Sequence, residues 1–134
     1  MTKKIYFGHH ITLYNTEDEV RLVGHIGRVL PYEVENPNQP HHDKAYMKRR
    51  DETGNGMDYY FEEVLPKMGA GVFIAFKDGK FGAGVFGEAD FLLRAGKPIY
   101  EIDLEGRISE MASLDSSRRL SVEETRERIK EKVI

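Results

Sequence analysis

The chain has 134 residues with 20 basic and 23 acidic side chains, and its net charge of −3 excludes a global basic field for nucleic acid. With 40% hydrophobic residues it can bury a core, and its length suits one domain over residues 1–134. The absence of cysteine removes disulfides, thiolate nucleophiles and zinc–thiolate sites together.

No apolar run reaches the roughly 20 residues of a membrane span, and the N-terminal residues lack a signal-peptide core. The expectation is a soluble, cytoplasmic protein with neither membrane nor nucleic-acid polymer as partner. Residues 5–7 (Ile5, Tyr6, Phe7) are a short apolar run that stops at Gly8, as a buried strand does. Thr16 and Glu19 match a capping box, and Val20, Val23, Ile26 and Leu30 follow at helical spacing. Gly24 and Gly27 either weaken that helix or let it pack closely on a sheet. Residues 32–35 read as a brief, half-polar second strand. Residues 36–56 show little hydrophobic periodicity and read as a long functional or disordered connection, with Asp43 capping one short helical segment over 44–50.

Residues 57–68 predict a helix with Tyr60, Phe61, Val64 and Leu65 on one side, disturbed in its last turn by Pro66. Residues 70–76 form a near-continuous apolar run suited to the middle of a parallel sheet. A glycine-rich loop over 77–84 leads into a helix from about 85 to 95, which ends at Gly96, a natural left-handed residue. Residues 98–102 are the next strand, and 107–112 add another. Ser121 and Glu124 form a second capping box, opening a last helix with a narrow apolar stripe of Val122, Ile129 and Val133. That helix is mostly solvated or docks on a second subunit. Strands alternating with helices imply a parallel α/β sheet with right-handed crossovers.

Four constellations carry chemistry. Gly82, Gly84 and Gly87 match G-x-G-x-x-G, but residues 77–81 separate them from the strand, whereas a dinucleotide fingerprint needs an immediate strand-to-helix turn. Glu88 falls in the first turn of the helix that follows, either as a surface complement to the helix dipole or as a carboxylate at the sheet edge where open α/β folds bind ligands. His9-His10 and His41-His42 are doublets whose members point to opposite sides in extended chain, so metal binding is not expected of them. Lys44, Lys48, Arg49 and Arg50 read as a solvated run or a phosphate-recruiting one, and Tyr46, Tyr59 and Tyr60 as packing residues or a stacking surface for a base.

Gly84, Val85, Phe86, Gly87 and Glu88, followed by Ala95, Gly96, Lys97, Pro98 and Ile99, resemble the signature of the nucleoside 2-deoxyribosyltransferase family. Related 2′-deoxynucleoside 5′-monophosphate N-hydrolases share that pattern of a glycine four residues before a glutamate, a helix, then Gly-Lys-Pro entering a strand. Residues 5–8 resemble the family's first strand, and most of residues 5–102 follow its order. The expected fold is a flavodoxin-like three-layer sandwich with a mostly parallel sheet of about five strands. The resemblance implies that Glu88 attacks the anomeric carbon and expels the base, that Tyr6 orients the carboxylate and the sugar, and that Asp58 binds or protonates the base. Glu62 and Glu63 compete with Asp58 for that acidic role. Gly82 stands six residues before Glu88, where the transferases carry an acid, and Asp78 is the candidate replacement. Gly8, His10, Asp78, Gly82, Gly84, Asn38 and His42 complete the expected substrate contacts, with part of residues 36–56 closing over the ligand. The resemblance implies a small nucleoside or nucleotide as partner, no cofactor, no metal, and a homodimer or larger homo-oligomer with residues 114–120 near the neighbouring pocket. A non-catalytic nucleotide-binding or subunit-interaction module on the same fold is the alternative.

Overall fold

The computed structural model of the chain describes residues 3–131. Five strands, β1 (Lys4–Gly8), β2 (Glu33–Glu35), β3 (Ala70–Ile74), β4 (Ile99–Ile102) and β5 (Ile108–Met111), form one sheet in the order β2-β1-β3-β4-β5. The first four run parallel, with Ile5 paired to Val34 and Ala70, and Gly71 to Ile99; β5 returns antiparallel against β4. This is the flavodoxin-like order, in which the strand sequence reverses between β1 and β3 and opens a crevice at their carboxyl ends.

Alternation along the strands builds two cores. Ile5, Phe7, Val72 and Ile74 face α1 (Glu17–Val29), whose Leu22 and Ile26 are fully buried. Tyr6, Phe73 and Ile99 face the other way, toward α3 (Ala83–Arg94) and the segment before β3. Thr16 caps α1 as its sequence indicates, accepting from the Glu19 amide at 3.2 Å. Val20 points to solvent at 72% exposure, because the buried stripe of α1 runs through Glu19, Leu22 and Ile26.

The expected long connection over 36–56 is instead largely helical. Helix α2 (Pro40–Thr53) starts with proline at its first position and ends at Gly54, whose φ of 82° suits only the left-handed region. Among its residues only His42 is buried, so α2 has no apolar stripe for periodicity to detect. Residues 57–68 also differ from a plain helix. A π-turn over Tyr60–Val64, closed by the Leu65 amide on the Tyr60 carbonyl, is followed by a tight turn over Leu65–Lys67 that contains Pro66.

Helix α3 begins at Ala83, two residues earlier than expected, and closes at Gly96 with the Lys97 amide on the Leu92 carbonyl at 3.0 Å. Its close approach to the sheet depends on Gly71, where a Cβ would lie 2.5 Å from Leu92 Cδ1 and 2.6 Å from the Phe73 ring. Gly71→Ala is therefore expected to cost about 1–3 kcal/mol by overpacking, read as a lower urea midpoint at unchanged slope. An unchanged midpoint would mean that α3 rides higher on β3. Helix α4 (Val122–Glu131) carries the complete reciprocal capping box, Ser121 N to Glu124 Oε1 and Glu124 N to Ser121 Oγ, both at 3.0 Å. Val133 lies outside the described residues. No described helix is long and apolar enough to cross a membrane.

Candidate active site

A cleft of about 330 Å³ opens at the carboxyl ends of β1 and β3, near the lower limit of the roughly 300–1,000 Å³ of small-molecule sites. Its centre is a pair brought together across 82 positions of sequence: Tyr6 Oη donates to Glu88 Oε2 at 2.5 Å. Tyr6 comes from β1 and is 1% exposed; Glu88 is the sixth residue of α3 and is 6% exposed. Glu88 thus sits beyond the first turn, on the sheet-facing stripe shared with Val85, Ala89 and Leu92. So far from the first turn the helix terminus does little to hold the charge. Burial dominates instead and raises the Glu88 carboxyl from its ordinary 4.5 to about 8, against the opposing hydrogen bond from Tyr6. Tyr6 is itself pushed well above the usual tyrosine range by burial and by the Glu88 charge.

Gly8 supplies the wall beside this pair, since a Cβ there would lie 2.4 Å from Phe73 Cδ1 and 3.4 Å from Glu88 Oε1. Gly82 and Gly84, at the start of α3, line the cleft as expected, and so does His10. The His10 ring stacks on Phe76 with centroids 4.1 Å apart, and its Nδ1 meets Thr12 Oγ1 at 2.5 Å. Burial, with His9 adjacent, lowers His10 to about 4, so it is neutral at pH 7; the Ala75 backbone partly opposes that drop, although Nε2 makes no hydrogen bond of normal geometry. His9 is fixed behind it by the Phe7 carbonyl at 2.9 Å and Glu19 Oε2 at 2.8 Å.

Asp58 lies off the cleft, and its carboxylate accepts from Asn55 Nδ2 at 3.3 Å. Asp43 lines the cleft instead. The fold of α2 explains this: Tyr46 and the exposed Asp43 border the cleft mouth at i, i+3 spacing, and Met57, not Asp58, lines it from the next segment. The Asp43 and Glu88 charges together add to the burial that raises Tyr14 and Tyr60. Glu62 and Glu63, the competing acids, both pair with Arg49 on the outer surface.

Three other expected contacts lie elsewhere. Asp78 is paired with Arg128 of α4 at 2.7 Å and does not replace an acid near Gly82. Asn38 gives its side-chain amide to Glu19 at 3.0 Å and to Asn15 at 3.0 Å, tying the start of α2 to the loop after β1. His42 faces away, toward Tyr59 and Glu35. Asn36, Asn38, Gln39 and His42 are thus spent on framework contacts, Gln39 on Glu35 among them. Residues 114–120 also dock on their own chain, through Phe81 N to the Arg118 carbonyl at 2.7 Å and Leu120 N to the Phe81 carbonyl at 3.0 Å.

No protein-family model matches the chain, and no curated protein matches its sequence.

Sequence reading missed Tyr14, Asp43 and Thr125 as site residues, and placed Tyr46 and Tyr60 only as an option. Tyr14, Tyr46 and Tyr60 join Tyr6 in an aromatic wall, while Thr125 and Ile129 of α4 roof the start of α3. Thr125 Oγ1 accepts from the Ala83 amide at 2.9 Å, so α4 occupies the helix terminus where open α/β folds cradle phosphate. Eight residues separate β3 from α3, folded into a turn by Phe76 N to the Lys80 carbonyl at 2.8 Å, which is not the geometry of a dinucleotide fingerprint. The described lining includes no lysine or arginine. Among the described residues no group of three or more His, Asp or Glu side chains is placed to hold a metal ion. Chemically, the cleft offers one buried carboxyl group fixed by a phenol, a second carboxylate at the mouth, and flat apolar faces between them.

Proposed function

We propose that the protein cleaves or transfers the N-glycosidic bond of a nucleoside, of which 2′-deoxynucleosides are the first class to test, with Glu88 as nucleophile. The observation that carries this reading is the Tyr6–Glu88 pair, buried at the switch point of the sheet beneath an aromatic wall. A Glu88 oxygen forms a bond to C1′ as the C1′–N bond breaks, and the departing base takes its electron pair and a proton. The proton reaches the base from solvent by way of the Asp43 carboxyl group at the cleft mouth. Water or a second base then attacks C1′, restoring the carboxylate and retaining configuration. Tyr6 holds the carboxylate in line, and the tyrosine faces take the base and sugar by stacking and apolar contact.

The lack of cationic residues in the lining supports an uncharged nucleoside over its 5′-monophosphate. The test is a panel of 2′-deoxy- and ribonucleosides and their monophosphates, read by released base and by base exchange. Inactivity across the panel, together with tight nucleoside binding, would make the protein a binding module.

Asp43 and Asp58 separate by mutation. Asp43→Asn is expected to lower kcat/KM by about 10²–10⁴, the usual contribution of a general acid, whereas Asp58→Asn leaves it within about twofold. The reverse ranking would return the acid to the segment before β3.

A further inference from the structure

We propose that the chain has a second ligand site, for a small anion of the phosphate class, in a cavity at the amino edge of the sheet. This cavity of about 710 Å³ is bordered by Lys3 and Lys4 of the first strand region and by Lys67 and Gly69 ahead of β3. The Glu88 cleft lies at the carboxyl ends of the same strands, roughly 16 Å away for five residues of strand. The inference stands independently of the glycosidic reading.

Charge accounting carries it. Two carboxylates border the cavity, and both are already engaged. Glu35 accepts from Gln39 Nε2 at 2.7 Å, Lys4 Nζ at 3.3 Å and His42 Nε2 at 3.3 Å. Glu63 shares the Arg49 guanidinium with Glu62, which leaves the border of three lysines and two carboxylates with the positive sign in excess. Lys3 and Lys67 have no ion pair among the described residues, so two ammonium groups of like sign border one concavity without a counter-charge. Lys97, by contrast, uses its ammonium on the Pro66 carbonyl at 3.0 Å and is structural.

The position of Lys3 is also held in place. Its stem lies across Gly69, where an added Cβ would come within 3.2 Å of Lys3 Cβ and 3.3 Å of Lys3 Cδ. Beneath the charges the floor is apolar, with Val64 and Met68 only 5% and 4% exposed, and a low-polarity floor strengthens attraction for an anion. The Tyr59 hydroxyl donates to His42 Nδ1 at 2.7 Å and so leaves the anion to the ammonium groups. The chain as a whole is negative, so the patch is local and not one face of a basic protein. Lysines act as compact point charges, which suits phosphate oxygens. The wall between the two cavities is shared: neighbouring residues His42 and Asp43 of α2 face one each, as do Tyr59 and Tyr60.

Inorganic pyrophosphate titrated into the full chain, followed by calorimetry and by amide chemical shifts, tests the proposal. Saturable one-to-one binding is expected, with shifts concentrated at Lys4, Val64 and Gly69. The Lys3→Gln/Lys67→Gln double variant should bind about tenfold or more weakly at an unchanged melting temperature, since both side chains are exposed. Glu88→Gln should bind pyrophosphate as the parent does. Absence of saturation at millimolar pyrophosphate, shifts centred on Gly82 and Gly84, or full affinity in the double variant would overturn the site.

Discussion

Replacing Glu88 by glutamine is expected to lower base release and base exchange by several orders of magnitude while the protein stays folded. Glutamine is nearly isosteric, and its side-chain oxygen can still accept the Tyr6 hydroxyl that now reaches Glu88 at 2.5 Å. What it cannot do is form the glycosyl ester. A purely structural carboxyl group at this buried position predicts the opposite pattern, with stability altered and turnover retained. Steady-state rates of the parent and variant on deoxyinosine and deoxyuridine, with nucleoside affinity measured alongside, separate the two. Full activity in Glu88→Gln would refute the assignment.

The same substitution should make the protein more stable in alkali. In the folded chain Glu88 holds its proton up to about pH 8, whereas the unfolded chain releases it near the ordinary 4.5. Between those values the folded state binds more protons, so the stabilising contribution is complete below 4.5 and falls as pH rises, until it is lost above about 8. Over the whole window the change is on the order of a few kcal/mol. Glutamine carries no such proton. The stability of Glu88→Gln relative to the parent should therefore increase from pH 5 and level off above about pH 8, with the other titrating groups cancelling in the difference. Denaturant midpoints across that range check it, and a pH-independent difference would mean that Glu88 ionises normally.

Ionisation of Glu88 is also what the proposed chemistry requires, so kcat/KM is expected to climb toward pH 8 as the carboxylate forms. The reactive form of the protein is then its less stable form, a cost commonly carried by active sites.

Much of this arrangement was legible in the sequence wherever a local physical rule decides the outcome. The apolar run into β3, the capping boxes at Thr16 and Ser121, and the left-handed Gly96 are local signals, and each appears where its chemistry places it. Helix α2 carries local signals at its ends, Pro40 and Gly54, but no apolar stripe between them, since it buries only His42 and is fixed by polar contacts at its start. That one omission left Asp43 out of the expected cleft lining. With 36–56 read as a connection, Asp43 had no assigned face, and Asp58 was favoured on a helix that the π-turn in fact interrupts. The depth of Glu88 was legible in principle, because it shares an i, i+3, i+4 stripe with Val85, Ala89 and Leu92. Starting the helix two residues late hid that stripe and left the carboxylate in the first turn. Tyr14 lies in a loop with no periodic signal, and only the sheet order places it beside Glu88.

The covalent step is the centre of the account, and rapid acid quench with peptide mass analysis tests it most directly. Protein mixed with deoxyinosine at pH 8, where Glu88 is substantially ionised, should gain one deoxyribosyl residue on the peptide that contains Glu88. The adduct should disappear on dilution into water or on addition of a free base, and Glu88→Gln should never acquire it. Steady base release with no adduct on that peptide, or with an adduct on a different side chain, would contradict the role given to Glu88.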